Sequence, residues 1–190
     1  MDSVENEEIY NPYKRNIIQE GKITLDPKYI NKNIDYNILM KAREELEKKC
    51  NTMGFVNKIT AISKKSDGYL IPENLNASPR FIIEYVCNIF IIKKDVTIIS
   101  QIVKIVPDYI VCKHGYIGTL IRYSNEENFV LKNSSLFFKN NNKVINVGDF
   151  VKVNIFNEIV VLNNTYIQTL GNITSIPSDK EVKTYFDFEN

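Results

Sequence analysis

The stretch Asp149-Phe150-Val151-Lys152-Val153-Asn154-Ile155-Phe156, written DFVKVNIF, decides how the second half of this chain is read. Val151, Val153 and Ile155 recur at every second position, and a period of two places them on one face of a half-buried strand. Runs of similar character lie on either side. Residues 96–106 are rich in Ile and Val, 109–113 and 116–122 are separated by His114-Gly115, and 158–162 and 166–173 are split by the turn-prone Asn163-Asn164. A long polar interruption covers residues 124–146. Five or six short strands around one interruption predict a small closed barrel.

The first half has another rhythm. Ile38, Leu39, Ala42 and Leu46 fall at spacings of three and four, which predicts a helix over residues 35–50. Asp35 is placed to cap it, Glu44–Lys48 and Glu45–Lys49 are i,i+4 pairs, and Met53-Gly54 marks its end. Strand-like runs follow at 55–62, 69–71 and 80–92, broken at 64–68 by the Asp67-Gly68 turn signal and again at 72–79. The expected fold class is therefore α+β, with a small α/β unit over residues 22–95 and a barrel over 96–176. Residues 1–21 and 177–190 are expected to be flexible acidic segments.

Composition narrows the function classes. With 24 basic and 23 acidic side chains the formal charge is +1, so no global field holds an acidic partner. Residues 22–97 carry +4 and 98–176 carry +2, whereas the two ends are acidic, at −3 and −2. Any nucleic-acid contact must then be local. Cys50, Cys87 and Cys112 form no CxxC pair and read as buried thiols, and a single histidine, His114, leaves little for metal or triad chemistry. There is no Walker A, GxGxxG, GxSxG or HExxH pattern. No signal peptide is visible at the start, and no run reaches the roughly 18 apolar residues of a membrane span.

One loop resists this plain reading. In Thr24-Leu25-Asp26-Pro27-Lys28-Tyr29-Ile30-Asn31-Lys32-Asn33-Ile34 two large apolar side chains stand among Pro, Asn and Lys. Taken with the order of the other pieces, it resembles the stalk subunit of multisubunit DNA-dependent RNA polymerases, the seventh subunit of eukaryotic polymerase II and its archaeal counterpart. The family's tip loop reads like Pro-Lys-Tyr-Phe-Gly-Pro-Asn-Leu; Pro27, Lys28, Tyr29 and Asn33 match it, Ile30 and Ile34 are apolar replacements, and Asn31-Lys32 stand in place of Gly-Pro. Residues 50–59 resemble its Cys-Thr-Gly-Lys-Tyr-Gly-Tyr-Ile run, Gly68-Tyr69-Leu70-Ile71-Pro72 its Gly-Arg-Ile-Leu-Pro, Val147-Gly148-Asp149-Phe150-Val151-Lys152-Val153 its Lys-Gly-Ser-x-Ile-Arg-Val, and Leu170-Gly171-Asn172-Ile173 its Ile-Gly-Ser-Ile. The similarity covers residues 22–176 in one order.

The resemblance implies a tip domain followed by an S1-type OB barrel, and a non-catalytic role without cofactor or metal. It implies that Pro27, Lys28, Tyr29, Ile30, Asn31, Lys32 and Asn33 dock to the large core subunits. Lys104, Tyr109, Lys113, His114, Tyr116 and Lys152 would then contact nascent single-stranded RNA, and initiation factors and a second stalk subunit are further candidate partners; no membrane is involved. The plain alternatives are that Tyr29 packs on its own helix, that Tyr109 and Tyr116 point into the barrel, and that His114 is only a turn residue beside Gly115. A free S1-type RNA-binding protein would need the same barrel and have no use for the Tyr-Ile loop. A hydrolase or nuclease would need paired carboxylates or a metal cluster, and the sequence displays neither. The Lys, Asn and Ile enrichment suits an AT-rich genome, either a large DNA virus carrying its own polymerase, with the protein in cytoplasmic factories and virions, or a protist, with the protein in the nucleus.

Overall fold

The computed structural model of this protein describes residues 9–72, 77–122, 129–132, 135–138 and 143–186. Strand β1 (Tyr13–Thr24) leads through a 3-10 turn at Pro27–Tyr29 into helix α1 (Ile34–Leu46). Strands β2 (Lys49–Cys50), β3 (Phe55–Lys65) and β4 (Arg80–Phe90) complete an antiparallel sheet of order β1-β4-β3-β2. In β4, Phe81, Ile83, Tyr85, Cys87 and Ile89 alternate onto the buried face, the pattern of a strand with one side on a core. α1 lies on that side and buries Ile38 and Ala42 in one cluster with Ile23, Ile59 and Ile83. All three cysteines are buried as thiols, and burial pushes Cys87 up to about 11.

The helix stops four residues before the expected end, because its last side chains take over the edge of β3. Glu47 accepts the Ile59 N–H at 2.6 Å, and Arg43 Nε donates to the Ile59 carbonyl at 3.1 Å. Lys48 then adopts φ +59°, and its N–H bonds the Val56 carbonyl at 2.8 Å, so the chain leaves as a strand. That turn carries Lys48 away from Glu44. The helical ion pairs formed are instead Lys41 with Glu44 at 2.9 Å and with Glu45 at 3.4 Å, and Arg43 with Glu47 at 3.7 Å. Asn33, not Asp35, stands at the cap, and Asp35 pairs with Lys65.

Residues 13–21 are likewise strand and not a flexible segment. Arg15, Ile18 and Glu20 are exposed while Gln19 is buried and Ile17 and Gly21 half-buried, so the charges that give this stretch a solvated look occupy one face of β1.

The second half contains the expected closed barrel, of five strands: β5 (Val96–Ile105), β6 (Tyr109–His114) and β7 (Ile117–Arg122), then β11 (Phe150–Ile159) and β12 (Ile167–Ser175). β5 pairs with β6 and β11, β6 with β7, and β11 with β12, all antiparallel. Closure is made by a parallel pairing of β12 on β7, Ile167 opposite Ile117 and Thr169 opposite Thr119. The Thr119 and Thr169 hydroxyls meet in the interior at 2.8 Å. Residues 149–156 and 158–162, expected as two strands, form one, irregular between Ile155 and Asn157 and ending at Ile159.

Within the expected polar interruption, β8 (Phe129–Lys132), β9 (Ser135–Phe138) and β10 (Lys143–Ile145) form a separate sheet of order β10-β9-β8. Their runs of three or four residues among Asn and Lys are too short for alternation to stand out.

Residues 179–186, expected as part of a flexible tail, are helix α2 (Asp179–Phe186), which packs on the barrel through its side chains. Ser178 and Glu181 form a capping box: Glu181 accepts the Ser178 N–H at 2.8 Å, and the Glu181 N–H reaches Ser178 Oγ at 3.3 Å. Tyr185 is buried with its ring 5.1 Å from His114, and its hydroxyl donates to the Tyr10 carbonyl at 2.7 Å. Phe186 packs 5.4 Å from Phe150.

Glu181 also accepts from Lys152 Nζ at 2.7 Å, and the hydrogen bonds from Lys152 and Ser178 lower its carboxyl to about 2. A depressed carboxyl stabilises the docked helix above its ordinary range, and that contribution is lost as pH falls from about 4.5 to about 2. Amide-exchange protection of residues 179–186, each rate divided by the intrinsic rate at the same pH, is therefore expected to fall through this window, and Glu181→Gln to abolish that acid dependence. A flat profile in the wild type would contradict it.

Candidate functional site

The loop between β1 and α1 is held from both ends. Leu25 is buried and its N–H bonds the Pro79 carbonyl at 3.0 Å. The Tyr29 and Ile30 N–H groups bond Asp26 and Pro27 carbonyls at 2.9 and 3.0 Å, and Asn37 Nδ2 donates from α1 to the Tyr29 carbonyl at 2.8 Å. This hydrogen-bonded backbone leaves Tyr29 43% and Ile30 47% exposed. Lys28 Nζ sits 4.9 Å from the centre of the Tyr29 ring, a cation–π arrangement. Lys28, Asn31, Lys32 and Asn33 are exposed around the pair.

Beside the loop runs a groove of about 500 Å³ lined by Leu25, Tyr29, Asn37 and Met40 among others. Met40 is 44% exposed, and Tyr36, one turn before it, 61%. These two residues extend the apolar surface from the loop onto the helix. Their i,i+4 spacing off the core stripe is the signal for them, and a reading centred on Ile38 and Ala42 passes over it.

On the barrel the six expected RNA contacts do not share one surface. Lys104 and Lys113 are exposed and Tyr109 is half-buried on β5 and β6. His114 is buried beneath α2, its ring 5.3 Å from Phe186. Lys152 is turned to Glu181, with its side chain 17% exposed. Tyr116 stacks on Phe55 of the first sheet with ring centres 4.0 Å apart and receives a hydrogen bond from Lys48 at 3.1 Å. Alternation announces that side chains change faces; it does not announce which face a helix and a second sheet will cover.

What remains is an outer face on β5, β6, β7 and β12. The register aligns Lys104 with Val111, Leu120 and Leu170, and Gln101 with Lys113, Gly118 and Gln168. Arg122, exposed, lies opposite Tyr109. Among the described residues Lys104, Lys113 and Arg122 make no ion pair. Asp108, in the β5–β6 turn, is the one acid between residues 96 and 122. Tyr166, 43% exposed, rises at the margin of this face, at a position that the sequence marks only as the start of a strand.

The two halves are tied together beside this face. The Cys50 N–H bonds the Asn164 carbonyl at 2.7 Å, and the Asn163 N–H bonds the Cys50 carbonyl at 2.9 Å. Phe55 and Phe90 from the first sheet share a buried cluster with Ile98, Ile117, Ile155 and Ile167 from the barrel.

Among the described residues no three His, Cys, Asp or Glu side chains converge as metal ligands, and no helix is long and apolar enough to cross a membrane. No family model matches the chain. It is 29% identical over 168 residues to a protein of Acanthamoeba polyphaga mimivirus provisionally named as a DNA-directed RNA polymerase subunit, an alignment that takes in 87% of this chain and 84% of that one.

Proposed function

We propose that this chain is a non-catalytic stalk subunit of a multisubunit DNA-directed RNA polymerase of a large DNA virus. The sheet and helix up to residue 95 form its docking unit, with residues 27–33 entering a pocket on the large core subunits. The barrel, with the strand connections of an OB fold, projects outward and meets emerging single-stranded RNA and initiation factors. Such an enzyme works in cytoplasmic factories and is carried in virions.

The observation that carries this reading is the similarity to the mimivirus protein provisionally named as a polymerase subunit, which spans most of both chains and therefore cannot come from the barrel alone. A hydrogen-bonded loop that holds Tyr29 and Ile30 half in solvent supports the docking role. Burying such a pair in a partner pocket contributes about 2–4 kcal/mol.

The test is the double substitution Tyr29→Asp and Ile30→Asp in the full chain. Its melting temperature is expected to stay close to wild type, because neither side chain is buried. Affinity for the polymerase core is expected to fall about 30- to 1,000-fold, so that the large subunits no longer co-purify. Undiminished recovery of those subunits would refute the docking role; recovery of RNA without any polymerase subunit from the wild type would establish a free RNA-binding protein.

A further inference from the structure

On the outer face of the barrel lies a slot of about 380 Å³ lined by Val103, Val111, Lys113, Tyr116, Thr165 and Tyr166 among others. Its volume is at the small end of ligand sites, which run from about 300 to 1,000 Å³. Gly118 is in its lining. A Cβ on Gly118 would meet only Tyr166 Cδ2 at 3.8 Å and the Ile167 carbonyl at 4.0 Å, both ordinary contact distances. The strand therefore has no steric need of glycine here, and what the missing side chain provides is open space. Gln168 Nε2 donates to the Tyr166 hydroxyl at 2.9 Å and so restrains the ring. The loop that carries Tyr166 is itself hung from Cys50 of the first sheet.

We propose that this slot takes one unpaired nucleobase of a single-stranded nucleic acid, stacked on Tyr166 above Gly118, with Lys113 and Lys104 on the flanking phosphates. The proposal rests on the barrel being a nucleic-acid-binding module and adds where a base sits and which side chain it stacks on. Tyr116 also lines the slot, but its ring is stacked on Phe55 and has Lys48 Nζ 5.1 Å from its centre, which leaves the Tyr166 ring for the base. An apolar slot suits the face of a base, and Lys113 in its lining and Lys104 opposite Val111, without acidic partners among the described residues, suit the phosphates beside it. An acidic peptide would satisfy the lysines and leave the slot empty.

Fluorescence anisotropy of full-length protein with a labelled oligouridine of twelve nucleotides tests this. Gly118→Val puts a branched side chain into the slot beside Tyr166, and Tyr166→Ala removes the stacking ring. Each is expected to weaken binding about 5- to 100-fold, while Tyr166→Phe keeps most of the affinity. Gly118→Val is expected to melt like the wild type and to keep the wild-type salt dependence, whereas Lys113→Gln reduces the salt slope by about one. On an abasic oligomer of equal length, wild type and Gly118→Val are expected to bind alike. If the wild type binds oligouridine and Gly118→Val binds it equally well, the slot is not a base site although the module still binds RNA. If the wild type fails to bind oligouridine at low salt, or is held more tightly by oligoglutamate, the nucleic-acid reading of the barrel falls and the slot with it.

Discussion

Gly54→Ala is expected to destabilise the protein by about 4 kcal/mol, among the largest effects a single methyl group produces. A Cβ at this position would stand 2.1 Å from the carbonyl oxygen of Phe90, and the residue has φ +152°, where L side chains are strained whatever the space. The turn has little freedom to move aside. Asn51 Oδ1 accepts the Met53 and Gly54 N–H groups at 2.9 and 3.2 Å, and Asn51 Nδ2 donates to Gln19 Oε1 at 2.6 Å. The buried Tyr85 hydroxyl donates to the same Gln19 oxygen at 2.9 Å. Relief must come from the pairing of Phe55 with Phe90, which lies at the junction of the two halves. In a chain of this size such a loss lowers the melting temperature by about 8–16 °C. Gly148→Ala is the control: φ is +102° but nothing stands within 4 Å, so only backbone strain of about 1–2 kcal/mol is expected. Equal losses for the two variants in urea denaturation would remove the steric argument.

Phe55→Ala is expected to cost about 3–5 kcal/mol and to change the shape of the transition. Phe55 is fully buried, stacked on Tyr116, and packed in the cluster that contains residues of both halves. Each half also has a core of its own, around Ile38 and Ile83 in the first and around Ile110 and Val153 in the barrel. A cavity at the junction weakens what couples these cores while leaving each intact. Calorimetry should then resolve two transitions where the wild type gives one, with the van't Hoff enthalpy falling below the calorimetric value. A single transition merely shifted to lower temperature would mean that the halves are coupled by other contacts, foremost the backbone bonds of Cys50 to Asn163 and Asn164. Phe55→Leu retains most of the volume and is expected to lose less than about 1.5 kcal/mol.

Much of this architecture is legible where one side of an element alone meets a core. Val151, Val153 and Ile155 are all buried in the barrel, as their spacing requires, and Ile38 and Ala42 are the buried residues of α1. Legibility fails where a residue answers to two neighbours. Lys152 alternates onto the outer face of its strand, yet Glu181 of α2 covers it, whereas His114 shares the inner face of Ile110 and Cys112 as its spacing requires; α2 is itself hidden in a stretch dominated by its charge. Its sign is present in Ser178-x-x-Glu181. β1 is obscured in the same way, since Arg15 and Glu20 raise the polarity of a strand whose other face is half-buried. The outer face of the barrel suffers most, because Gly118 and Tyr166 mean little until the register sets them side by side.

The parallel pairing of β12 on β7 dictates an order of events during synthesis. The sheet of the first half has all its strands once β4 has been made, so that unit can fold while the ribosome is still translating the rest. The barrel cannot. β5, β6 and β7 zip together as a meander as soon as they emerge, but Thr119 must wait for a partner fifty residues downstream, and non-local closure of this kind is slow. Throughout that interval Ile98, Ile102, Ile110 and Ile121 face water or a chaperone. Translation that stalls before Ile167 thus releases a folded first half attached to an open, adhesive meander, and rare codons in the stretch after β7 would lengthen the time for which each nascent chain is exposed to aggregation.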